Sequence, residues 1–154
     1  MVFVDSHTAS SLAASSPDYT ITEYFAKSCP HCVRMDPVWK EAVGQAAHLP
    51  VGSKVAWVQK ECYGDNWAPG PDFNYCQSKG IEAFPTIQLT KNGSSSVWDA
   101  PPLTGGSVSQ KAEQLVRFVE SKVGSSVKMN GVGSETLVMA CSEPSSQSKF
   151  WNFL

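Results

Sequence analysis

"TEYFAKSCPHCVRMDPVWKEA", residues 22–42, is the stretch that organises this chain. Thr22 to Ala26 continue a β-branched and aromatic run that begins at Tyr19, and the run reads as a strand. From Pro30 to about His48 the pattern turns helical: Val33, Val38, Trp39 and Val43 recur near helical spacing, and Leu49-Pro50 closes the run. Cys29 therefore stands where a strand gives way to a helix, with Cys32 one turn in. Free N–H groups and the helix dipole at that point favour thiolate over thiol at Cys29. His31, when protonated, adds positive charge nearby. Pro30 fits the first helical turn, where its missing N–H costs nothing. One exposed, low-pKa sulfur beside one shielded sulfur gives dithiol exchange its nucleophile and its resolver.

A C-x-x-C pair also serves zinc sites and structural loops. Structural zinc wants four ligands, and Cys62 and Cys76 stand too far apart to form a second knuckle. A Cys29–Cys32 bond kept only for stability would close a tiny loop and gain little entropy. Redox work is the better reading, with no metal and no cofactor expected.

Outward from this segment, Val2–Asp5 reads as a short strand and Thr8–Ser15 as a short helix. Lys54–Gln59 is another strand, followed by the Gly/Pro-rich loop "YGDNWAPGPDFN" and a short helix around Tyr75–Lys79 that ends at Gly80. "FPTIQLT" begins a strand at a proline, and Asn92-Gly93 joins it to Ser95–Trp98 as a hairpin. An amphipathic helix spans Ser107–Val123. The order β-α-β-α-β-α-β-β-α implies an α/β fold, a mixed sheet with helices on both faces. Residues 124–154 turn to Ser, Gly and Lys and read as an extension of unknown role, with "ETLVMAC" as one further strand candidate.

The bulk properties exclude several classes. At 154 residues the chain is one domain's worth, with 42% apolar and 17% charged residues. A net charge of −2 argues against nucleic acid as a partner, since phosphate binding needs a basic stripe. No apolar run approaches the ~18 residues of a membrane span. No charged-then-apolar leader precedes Val2, so a trimmed leader is the expectation. Five cysteines, Cys29, Cys32, Cys62, Cys76 and Cys141, are many for a cytosolic chain of this size.

The opening segment resembles the active-site segment of the thioredoxin superfamily. The resemblance runs from about Val2 to Val123, within an expected domain of residues 1–123: an acid six residues before the first cysteine (Glu23), a helix proline five after the second (Pro37), the loop "EAFPTI" and the hairpin "TKNGS". Protein disulfide isomerases, and the first thioredoxin domain of quiescin-type sulfhydryl oxidases, are the relatives it resembles most. "KECYGD" and "NYC" are similar to the second cysteine pair of those relatives, which implies a structural Cys62–Cys76 disulfide. The resemblance also implies proton transfer between Glu23 and Cys32. It makes Pro85 a cis-proline that presents the Phe84 backbone to an extended substrate by strand addition. Ser28 departs from the tryptophan usual at its position, and Gln110 from the arginine that assists reoxidation in the isomerases.

These expectations add up to a thiol–disulfide oxidoreductase in the endoplasmic reticulum lumen or secreted. It would form or rearrange disulfides in cysteine-containing protein substrates, and a redox partner would reset it. A reductase, or a binding module that keeps its role without its thiols, are the alternatives.

Overall fold

Strand β1 (Tyr19–Ala26) is buried at four successive positions, Ile21 to Tyr24, in the computed structural model, which describes residues 16–124 and the backbone of 141–142. Burial on both sides follows from its central place. β2 (Val55–Tyr63) pairs with it in parallel, β4 (Thr86–Lys91) antiparallel, and β5 (Val97–Asp99) antiparallel to β4, giving the order β2-β1-β4-β5. A parallel pair needs a long crossover, and the helix α1 (Pro30–Ala47) supplies it. The β4–β5 turn uses Gly93 at φ +76°, a conformation glycine adopts without penalty.

Two cores result. Ile21 and Leu89 of the sheet meet Val38, Trp39 and Ala42 of α1, with Leu115, Val116 and Val119 of α3 (Val108–Val123). Trp39 stands edge-on to Trp57 of β2, ring centroids 5.1 Å apart. On the other side Tyr24, Ala26, Tyr63 and Phe84 form the second core. There Tyr75 of α2 (Phe73–Ser78) stacks on Tyr24 at 6.4 Å. This is the α/β thioredoxin fold, a mixed four-stranded sheet with helices. α3 starts at a capping box in which Ser107 and Gln110 satisfy each other's backbone N–H groups.

Several details differ from the sequence reading, among them β2, which runs past the expected end at Gln59 to Tyr63. The strand expected over Phe84–Thr90 is divided by a cis Phe84–Pro85 peptide bond into β3 (Ala83–Phe84) and β4. The Gly/Pro-rich loop after β2 folds back along the strand, with Gly70 N–H donating to the Cys62 carbonyl at 3.0 Å and Asp72 N–H to the Glu61 carbonyl at 3.0 Å. A Cβ on Gly70 would lie 2.5 Å from the Glu61 carbonyl oxygen, so this close approach needs glycine. Another difference is a two-residue strand, β6 (Cys141–Ser142), antiparallel to β3 with Phe84 opposite Cys141 and Ala83 opposite Ser142. The strand at Val2–Asp5, the helix at Thr8–Ser15 and all of "ETLVMAC" before Cys141 lie outside the described residues. Among those residues no helix is long and apolar enough to cross a membrane.

Candidate active site

The end of β1 and the start of α1 deliver the site. Cys29 is the N-cap of α1, in extended conformation, with Pro30 opening the helix. Its sulfur lies 3.6 Å from the Phe84 carbonyl oxygen, across from the cis Phe84–Pro85 bond. The fold thus brings together Cys29, Pro30 and the Phe84–Pro85 ledge from segments 55 residues apart.

Cys32 lies beneath, 5% exposed, and its sulfur accepts from the Ala26 N–H at 3.5 Å. Burial pushes its thiol up to about 12; the Ala26 N–H works against that shift, and the Glu23 carboxylate adds to it. Glu23 is 1% exposed on β1. Burial raises its pKa to about 7, Gln59 opposes the shift by donating from Nε2 to Oε2 at 2.7 Å, and the charge of Asp36 reinforces it. Glu23 and Gln59 are register partners on the parallel strands. A carboxyl poised near neutrality beside a thiol held protonated is a proton donor matched to that thiol.

Two expectations about charge and access are corrected. His31 does not bring positive charge at neutral pH. Its pKa is lowered from the ordinary 6.5 by burial and by the Arg34 guanidinium, which donates to Nδ1 at 2.9 Å. Support for a Cys29 thiolate then falls to the N-terminus of α1. Nor is Cys29 exposed: it is fully buried, and it is already in a disulfide while Cys32 is a free thiol. The Cys29–Cys32 bond expected of an oxidised dithiol is therefore not the bond this structure holds.

Around the site, Cys62 and Cys76 are joined to each other, 14 residues apart in sequence and both buried. The register of β1 on β2 explains how: Phe25 faces Glu61 and Ala26 faces Tyr63, so a bulge leaves Cys62 unmatched. That bulge breaks the strand's alternation and buries Cys62 and Tyr63 in succession. Ser28, in place of a tryptophan, donates its hydroxyl to the Gly64 carbonyl at 3.3 Å. The returning loop carries an aromatic of its own: Trp67 is half-buried, its ring 5.8 Å from Tyr63 and 6.5 Å from Phe84. Gln110 is committed to the α3 capping box. Sequence reading missed Gln59, Arg34 and Trp67. Only Arg34 had a local signal, its i+3 spacing from His31.

Among the described residues no group of three or more His, Cys, Asp or Glu is placed to hold a metal. A helix-tip sulfur facing a cis-proline, over a second thiol and a buried acid, on a mixed sheet, is the arrangement of a thioredoxin-type domain. The pattern of the Thioredoxin family matches residues 2–121, and the chain belongs to that family. It is 26% identical over 102 residues to protein disulfide-isomerase A3 of Gallus gallus; the aligned region covers 66% of this chain and 18% of that protein. The chain therefore spans less than a fifth of that relative. The structure of the first two thioredoxin domains of Saccharomyces cerevisiae Eps1p aligns with a TM-score of 0.52 at 21% identity, covering 69% of this chain and 35% of that one. The first thioredoxin domain of mouse protein disulfide-isomerase A4 aligns at 0.48 and 20%, covering 77% and 73%.

Proposed function

We propose that this chain is a thiol–disulfide oxidoreductase that acts on cysteine-containing protein substrates, running mainly in the direction of client oxidation. The observation that carries this is the pairing of Cys32, pushed up to about 12, with Glu23 at about 7 beneath a sulfur at the tip of α1. A client thiolate attacks Cys29 of a Cys29–Cys32 disulfide. The electron pair leaves on the Cys32 sulfur, and Glu23 gives it a proton. That transfer runs downhill, from a group near 7 to one near 12. A second client thiolate then attacks the mixed disulfide and releases Cys29 as a thiolate, which the helix N-terminus supports. In the reductive direction Cys29 attacks the client disulfide, and Cys32 must then lose its proton to resolve the mixed disulfide, which is uphill.

The client lies as an added strand along Phe84, which offers its carbonyl without reading sequence. A redox partner must restore the Cys29–Cys32 bond. Kinship with the isomerases supports the class of reaction. The Cys62–Cys76 bond supports an oxidising, secretory location. Finding the protein only in a reducing compartment would overturn that location.

The test is oxidation of a reduced client with two thiols by the pre-oxidised protein. Cys29→Ser should reduce the rate to background, and Glu23→Gln should slow it about tenfold or more. A Cys29→Ser variant that oxidises the client at the wild-type rate overturns the proposal.

A further inference from the structure

Three observations about the cysteines do not fit a two-cysteine site. Cys29 is in a disulfide, yet Cys32 is a free, buried thiol. Cys62 and Cys76 are bonded to each other. The chain has five cysteines, so one remains, Cys141. Independently, the backbone of Cys141–Ser142 forms β6, antiparallel to β3, with Cys141 in register opposite Phe84. Phe84 is the residue whose carbonyl oxygen lies 3.6 Å from the Cys29 sulfur. The only backbone described beyond residue 124 is thus a cysteine-bearing strand added at the ledge where a client would lie.

We propose that Cys141 is a third member of the exchange set: its segment occupies the client position and forms a reversible Cys29–Cys141 disulfide within the chain. This rests on the oxidoreductase reading and deepens it. It defines the preferred client as an extended segment, antiparallel to β3, with its cysteine opposite Phe84. The exchange balances without outside help. Cys32 gives its proton to Glu23, and its sulfur attacks the Cys29 sulfur. The Cys29–Cys32 bond forms as the Cys29–Cys141 bond breaks, and the electron pair leaves on Cys141, which takes up the proton. One disulfide and one thiol stand on each side, so no oxidant or reductant is consumed. The ratio of the two forms is therefore set by how well the segment docks and is independent of the surrounding redox potential.

Cys29 itself is fully buried. A client must displace the chain's own strand, so weak or badly aligned thiols are rejected. The raised pKa of Cys32 keeps its thiolate fraction small, so exchange between the two forms is slow.

The experiment is acid-quenched, non-reducing peptide mapping of the full chain, combined with client oxidation. Wild type should yield both Cys29–Cys141 and Cys29–Cys32 linked peptides, in a ratio that stays constant as the glutathione couple is varied while one disulfide is retained. Cys32→Ser should leave only the Cys29–Cys141 link. Cys141→Ala combined with Ser142→Cys moves the cysteine by one residue and to the opposite face of a strand; the link should fall at least tenfold. Cys141→Ser should oxidise the client several-fold faster. Absence of the Cys29–Cys141 peptide from both wild type and Cys32→Ser overturns the proposal, and so does a link that Cys32 never opens. If the link is absent while Cys141→Ser still oxidises the client through Cys29, the oxidoreductase reading stands and this inference alone fails. If the link forms and exchanges with Cys32 but no variant oxidises a client, the internal exchange stands and client oxidation fails.

Discussion

Glu23 holds its proton because its surroundings are poor in water, and that has a price in stability. An ordinary carboxyl ionises near 4.5, whereas folded Glu23 does so at about 7. Between those values the unfolded chain releases a proton that the folded chain keeps. Stability is therefore full below pH 4.5 and falls as pH rises, with the loss complete above 7. The gap corresponds to about 3 kcal/mol as an upper figure. Glu23→Gln should match wild type at pH 4.5 and exceed it by up to this amount at pH 8, as read by denaturant unfolding; parallel stability–pH curves would show that Glu23 is not the group responsible. At His31 the sign is opposite. Arg34→Gln removes the neighbouring cation, so the imidazole pKa should rise toward 6.5 in an NMR titration of the ring protons, and an unchanged value would discount the contact. Cys29, Cys32 and Glu23 were legible in the sequence because a strand, a turn and a helix place them within ten residues. Gln59 was not legible, because it reaches Glu23 through the register of two strands 36 residues apart, which no local pattern sets.

Among the elements, the longest and most periodic were the most legible. α1 and α3 stand close to their expected limits because apolar spacing and end signals agree at both. What the sequence hid lies where one strand controls another: the bulge at Cys62, and the loop that returns along β2 through backbone hydrogen bonds its composition does not advertise. The Cys62–Cys76 bond ties these features to α2. Replacing both cysteines by alanine removes a closure of 14 residues and should cost about 3 kcal/mol in unfolding free energy. Under graded reductant with mass mapping, the Cys62–Cys76 bond should open last, because Cys32, the free thiol among the described residues, sits at the other pair. Opening of Cys62–Cys76 first would make it a relay and not a brace.

At the scale of the whole molecule, both cores are assembled from residues between Ile21 and Val119, and the family match ends at residue 121. A chain stopped after Gly124 should therefore unfold cooperatively, within a few degrees of the full chain, and should react faster at Cys29 with an alkylating agent after reduction. Loss of cooperative unfolding would mean that the last thirty residues belong to the fold. One packing contact offers a way to watch all of these variants. The indoles of Trp39 and Trp57 are held edge-on at 5.1 Å, close enough for their excited states to mix. Such a pair absorbs circularly polarised light as a single chromophore and gives two adjacent bands of opposite sign. Separation of α1 from β2 would extinguish the couplet, whereas a disulfide exchanging in place would leave it intact. The protein thus carries its own optical means of telling a change in bonding from a loss of structure.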